Sequence, residues 1–137
     1  MRLLLKRLGM YFVAGSVGGV ANGLAVWFFG AIGFAGMLGV AVAPQLSPPF
    51  VYQKIVWGGI WGVLLIFPVL SNRQVLRGII ISIFPTLVQL LVVFPFSIKK
   101  GMLGLDLGSL TPLFVVFYNM VWGIAASCWH NVVNDNE

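Results

Sequence analysis

The side chains that could carry out acid–base, nucleophilic or metal chemistry are few and widely separated in this 137-residue sequence. The sequence has one cysteine, Cys128, one histidine, His130, and the acidic residues Asp106, Asp135 and Glu137. A structural zinc site takes four ligands, and a Ser-His-Asp triad needs a carboxylate beside its histidine. Glycine motifs that bind phosphates or dinucleotides do not occur. We therefore expect a protein that is not an enzyme, with no catalytic centre, no metal site and no cofactor.

Uncharged polar residues inside apolar stretches form a first candidate site: Asn22, Thr86, Gln89 and Asn119. In a membrane such side chains hydrogen-bond across helices and fix their registry. The alternative is that they line a narrow passage or a pocket for a head group. The sequence leaves both interpretations open.

Basic and hydroxyl residues form a second candidate site, for an anion or a lipid head group: Ser47, Lys54, Lys99, Lys100 and Thr111. Ser47 and Thr111 each precede a proline, which is typical of a helix start with a hydroxyl cap. The net charge of +5 suits anionic lipids better than nucleic acid, because the basic residues flank apolar stretches.

The composition places these residues in a lipid bilayer. Hydrophobic residues make up 60% of the chain and charged residues 8%, whereas a soluble domain has about 25% charged residues. Stretches of 46, 18, 21 and 28 residues contain no charge, and a helix needs about 20 apolar residues to cross a bilayer. We predict an all-α integral membrane bundle of four helices, over residues 11–34, 48–70, 78–96 and 112–129.

The two halves of the sequence are similar to each other at an offset of about 65 residues. Residues 36–39 and 101–104 are both Gly-Met-Leu-Gly, and Trp57-Gly58 corresponds to Trp122-Gly123. Because each copy holds two spans, both copies enter the membrane from the same side. We predict a single domain, 1–137, of two tandem two-helix repeats, 8–71 and 72–130, with a polar tail, 131–137. A pseudo-twofold axis along the membrane normal would relate the repeats.

Small residues spaced by four allow membrane helices to approach closely. Two tryptophans lie beside glycines near mid-membrane depth, so we expect them to face the protein interior. The candidate helix-packing residues are Gly15, Gly19, Gly23, Gly58, Gly62, Trp57, Trp122 and Gly123.

The segments 36–45 and 101–109, which follow the first and third spans, are apolar and rich in glycine. We expect them to fold back against the bundle or to lie at the interface. The sequence does not distinguish a re-entrant from an interfacial path.

The distribution of basic residues predicts the orientation, because loops rich in lysine and arginine stay in the cytoplasm. We expect both termini in the cytoplasm of a bacterium and the protein in its inner membrane. The first apolar stretch is longer than that of a cleaved signal peptide, so we expect it to persist. The cytoplasmic set would be Arg2, Lys6, Arg7, Arg73 and Arg77, and the outer set Lys54, Lys99 and Lys100.

Two functions fit these features. The first is a channel- or transporter-like unit that acts as a homo-oligomer, since four short spans leave little room for a pathway. The alternative is a non-transporting structural, assembly or lipid-binding subunit that packs beside a membrane-protein partner. Anionic lipid is an expected partner in the second case, and nucleic acid in neither.

Overall fold

The computed structural model describes residues 1–135, and within that range the chain is helical with no strand. Four helices are long and apolar enough to cross a membrane: Arg2–Ala31, Pro48–Ile66, Gln74–Ser97 and Thr111–Asn134. This confirms the four predicted spans. Residues 131–135, which we assigned to a tail, belong to the last helix. Residues 136 and 137 of that predicted tail lie outside the described part.

Helix α1 covers Arg2–Ala31 and is followed by a single-turn helix, α2, at Phe34–Met37. Helix α1 begins nine residues before the predicted start, and its first turns carry Arg2, Lys6 and Arg7. The charge-free stretch marks only the part that lies in lipid. The leucines at positions 3 to 5 have a high helix propensity and favour a helix that starts before the charge-free stretch.

Helix α3 covers Pro48–Trp61 and continues as a 3₁₀ helix over Gly62–Ile66. Ser47 occupies the cap position of α3, but its hydroxyl makes no cap hydrogen bond. The prediction of a hydroxyl cap is therefore wrong here. Pro49 occupies the second helical position and lacks an amide proton, so one of the two donors from which a cap hydroxyl accepts is missing.

Helix α4 covers Gln74–Val88 and continues as a π-helix over Gln89–Ser97. Pro85 lies inside α4, and Pro95 lies inside the π-helix. A 3₁₀ segment at Met102–Leu107 leads to α5 at Thr111–Asp135. Thr111 is the first helical residue of α5 rather than its cap, and its hydroxyl has no partner among the described residues. The predicted cap is wrong at this position too.

The extensive interfaces join α1 to α3, α4 to α5, and α1 to α5. Glycines meet in both hairpins: a Cβ atom at Gly58 would lie 2.6 Å from the carbonyl oxygen of Gly15, and one at Gly78 would lie 2.6 Å from the carbonyl oxygen of Gly123. A twofold axis between the repeats would make α3 pack against α4 as α1 packs against α5. In the described part, however, α3 and α4 form no such interface. The packing therefore does not display the predicted twofold relation.

The two tryptophans of the sequence repeat occupy different environments. Trp122 is buried, and its indole N–H donates to the carbonyl oxygens of Gly15 at 3.0 Å and Gly58 at 3.3 Å. Trp57 lies on the outer surface of α3 and is 58% exposed. The expectation that both face the interior is wrong for Trp57, because lipid solvates a large apolar ring as well as the protein core does.

Both connections fold back against the bundle, which is the first of the two predicted alternatives. Ala35 of α2 and Val40 of the first connection are buried with Phe114 and Tyr118 of α5. Leu107 of the second packs against the π-helix, and its carbonyl oxygen accepts the Ala41 N–H at 2.8 Å. The connections therefore meet above one end of the bundle, which we call the connection end.

Candidate anion site

A half-open cavity of about 460 Å³ lies at the connection end. All four spans contribute to its wall, with Asn22 from α1, Lys54 from α3, Gln89 from the π-helix and Tyr118 from α5. The first connection adds residues 41–44, and the second adds Leu107. The Ala41–Leu107 hydrogen bond therefore fastens the roof of the cavity.

The cavity joins members of the two candidate sets. Asn22 and Gln89 come from the uncharged polar set, and Lys54 and Thr111 come from the anion set. Lys99 and Lys100 are exposed and do not line the cavity. Ser47 is half-buried and also lies outside the lining. These three residues are thus not brought together with Lys54.

Lys54 can lie between helices because α1 has glycines opposite it. Gly19 lies against the backbone carbonyl of Lys54, and a Cβ atom at Gly23 would be 3.1 Å from the Lys54 Cγ. The aliphatic stem of Lys54 therefore fills the space that α1 leaves free. Gly23 makes room for this side chain, whereas Gly15, Gly58 and Gly62 allow backbones to approach.

The Lys54 ammonium group has an aromatic neighbour and, in the part of the chain that the structure describes, no acidic one. Its Nζ lies 5.5 Å from the centre of the Phe50 ring, within the range of a cation–π contact. Within residues 1–134, no carboxylate forms an ion pair with Lys54. The wall of the cavity thus carries a positive charge that the described side chains do not neutralise.

Two residues that line the same cavity carry buried hydroxyl groups. The Thr111 and Tyr118 side chains are 1% and 5% exposed, and neither hydroxyl has a hydrogen-bond partner among the described residues. A buried polar group without a partner costs about 1–3 kcal/mol. A ligand atom that accepts these hydrogen bonds would remove that cost.

The amides of the cavity wall are held in place by hydrogen bonds between helices. Asn22 Nδ2 donates to the backbone carbonyl of Tyr118 at 2.8 Å, which joins α1 to α5. Asn119 Nδ2 donates to Gln89 Oε1 at 3.2 Å and to Thr86 Oγ1 at 3.1 Å. The oxygen of Gln89 accepts from Asn119, so the amino group is the part of this lining residue that could still donate to a ligand. Thr86 and Asn119 stand behind the wall rather than in it.

Sequence reasoning missed Tyr118 and Arg77. Tyr118 adjoins Asn119 in the sequence, and an aromatic hydroxyl at that depth was the available signal. Arg77, which we placed in a cytoplasmic loop, is 6% exposed within α4. Its Nη2 donates to the carbonyl oxygen of Leu65 at 2.6 Å, at the end of the 3₁₀ helix that follows α3.

No protein-family model, no curated protein and no solved structure matches this chain.

Proposed function

We propose that this small membrane protein is a binding protein that holds an anionic group in the cavity at the connection end. The observation that carries the proposal is Lys54, which has no acidic partner in the described chain and lines the cavity together with Thr111 and Tyr118, two residues whose buried hydroxyls have no partner there. The ammonium group would repel a cation. An anion would accept hydrogen bonds from all three groups.

The same geometry disfavours the channel- or transporter-like function. Asn22, Thr86 and Asn119 are each less than 9% exposed and are hydrogen-bonded within one chain. They are therefore not free to line a passage between copies of an oligomer. Beyond the cavity, glycine backbones pack against each other between α1 and α3.

We also propose the bacterial inner membrane as the location, with both termini in the cytoplasm and the cavity at the outer face. The support is the position of every arginine at or near the opposite end of the bundle from the cavity. The orientation can be tested in intact cells with the Lys100→Cys variant of the Cys128→Ser protein, whose one cysteine is then at position 100. Labelling by an impermeant maleimide is expected, and labelling only after lysis would contradict it.

The tandem repeat remains a proposal as well. It is supported by the sequence identity of residues 36–39 with 101–104 and by the equivalent glycine contacts, Gly15 with Gly58 and Gly78 with Gly123. We infer that a hairpin was duplicated and that the copies then came to pack unequally.

Thermal unfolding in a neutral detergent tests the anion site. Dodecyl phosphate should raise the unfolding midpoint of the full chain more than dodecyl maltoside, which has the same alkyl chain and no charge. A ligand at 100 times its Kd stabilises by about 2.7 kcal/mol. Lys54→Met should abolish the difference. Lys99→Met removes the same charge from an exposed position outside the cavity and should preserve it. Equal responses of the two variants would contradict the proposal.

A further inference from the structure

The cavity is too large and too apolar for a small inorganic anion alone. Its volume of about 460 Å³ lies in the range of sites that enclose drug-sized molecules, about 300–1,000 Å³. An inorganic phosphate would fill a small part and leave the remainder empty or wet. A larger occupant is therefore required to match the space.

The wall of the cavity has polar and apolar residues, and an occupant must match both. The donors are the Lys54 ammonium, the Thr111 and Tyr118 hydroxyls and the Gln89 amino group. Most of the remaining wall is hydrocarbon or aromatic, including Val26, Val42, Phe94, Leu107, Phe114 and Val115. A molecule that satisfies both parts of the wall has an anionic group and an apolar group.

The opening of the cavity is also apolar. Ala41, Ala43 and Ile98 line the cavity and are exposed, and Ile98 is 47% exposed. A hydrated anion would have to pass this rim, whereas an alkyl chain gains contacts with it. The rim thus suits a molecule whose apolar part remains outside, in the bilayer.

The depth of the donors agrees with a head group at the membrane surface. Thr111 is the first residue of α5, and Lys54 lies six residues into α3, which is about 9 Å along the helix axis. The lysine stem can carry its ammonium group back toward the interface. Phospholipid phosphates lie in the same interfacial layer.

We propose that the occupant is an anionic phospholipid, and this inference rests on the anion-binding function proposed above. Its phosphate diester accepts hydrogen bonds from Lys54, Thr111 and Tyr118. One acyl chain leaves the cavity past Ile98 into the surrounding lipid.

The test compares ligands that share a head group. The full chain, stripped of lipid in a neutral detergent, is titrated calorimetrically with glycerophosphoglycerol, dihexanoyl-phosphatidylglycerol and dihexanoyl-phosphatidylcholine. Each buried methylene favours binding, so phosphatidylglycerol should bind at least about 100-fold more tightly than the head group without chains. It should also bind at least about tenfold more tightly than phosphatidylcholine, because the Lys54 charge favours an anion.

Two variants separate the contributions of the head group and the chain. Lys54→Met should reduce the affinity for phosphatidylglycerol to that for phosphatidylcholine, and Lys99→Met should leave it unchanged. Ile98→Ser, at an exposed position, should weaken phosphatidylglycerol binding severalfold and leave glycerophosphoglycerol binding as it was. Thr111→Val provides a second head-group variant if Lys54→Met does not fold.

The outcomes distinguish this inference from the function on which it rests. If glycerophosphoglycerol binds as tightly as the lipid, the site takes a soluble anion, and only the phospholipid inference fails. If phosphatidylcholine binds as tightly as phosphatidylglycerol, or if no ligand binds, the anion-binding function fails together with it. An unchanged phosphatidylglycerol affinity in Ile98→Ser overturns the proposed path of the chain.

Discussion

The indole N–H of Trp122 donates to the backbone carbonyl oxygen of Gly15 at 3.0 Å, across the interface between α5 and α1. The absence of a side chain at Gly15 also lets Gly58 of α3 and Gly62 of the following 3₁₀ helix approach α1 closely. One tryptophan thus ties the second hairpin to a point where the glycine backbones of the first hairpin are in close contact.

Trp122→Phe should lower the free energy of unfolding by about 1–3 kcal/mol, because it removes the hydrogen bond and part of a buried ring. The check is a titration of the detergent-solubilised chain with dodecyl sulfate, followed by circular dichroism. Trp57→Phe is the matched control, and its exposed ring predicts a change within about 0.5 kcal/mol. Similar losses in both variants would show that the buried hydrogen bond is unimportant.

Gly58→Ala should separate α1 from α3, because the new methyl group would meet the carbonyl oxygen of Gly15 and the Cα of Gly19 rather than flexible side chains. We expect a loss of about 1–3 kcal/mol in the same titration. Gly9→Ala adds a methyl group to α1 where nothing lies within 4 Å. That control should retain stability or gain up to about 1 kcal/mol from helix propensity. A Gly58→Ala protein as stable as the control would contradict the backbone contact.

Tyr118→Phe and Thr111→Val should have opposite effects on the empty and the occupied protein. Each removes a buried hydroxyl without a partner, so the unliganded free energy of unfolding should rise, by up to about 1–3 kcal/mol. Each also removes a donor to the ligand, so stabilisation by dodecyl phosphate should fall. Tyr52→Phe, at a 66% exposed position, should change neither quantity. A loss of unliganded stability in both cavity variants would argue against this assignment of the hydroxyls.

Arg77→Met should loosen the turn between α3 and α4. The substitution removes donors to the carbonyl oxygens of Leu65 and Phe67, at 2.6 and 3.4 Å, and should cost about 1–3 kcal/mol. Hydrogen exchange of residues 66–73 is the direct measurement, and it should become faster. Arg73→Met changes the same charge at an exposed position and should leave exchange beyond its immediate neighbours unaltered. Unchanged protection in Arg77→Met would refute the role of the guanidinium group.

The spans could be predicted because bilayer thickness constrains both their length and the positions of charge. Their ends could not, because nothing in lipid requires a helix to stop at the last apolar residue, and α1 continues through Arg2, Lys6 and Arg7. The hydroxyl caps failed for a local reason. Pro49 removed one of the two amide donors available to Ser47, and Thr111 entered the helix instead of capping it.

The candidate site could be predicted in part. Lys54 and Thr111 could be identified from charge and helix starts, and Asn22 and Gln89 from polarity in apolar surroundings. Their meeting in one cavity depends on how four helices pack, which the sequence pattern does not specify. Trp57 shows the same limit, because an apolar residue in a membrane protein is equally suited to lipid and to the core.

The hydrogen bond from Ala41 to Leu107 joins the roof of the cavity through the peptide backbone alone. Substitutions at position 41 or 107 can therefore change the hydrophobicity of the cavity entrance without breaking this hydrogen bond. Proline at position 41 is the exception, because it lacks the amide proton that is donated to Leu107.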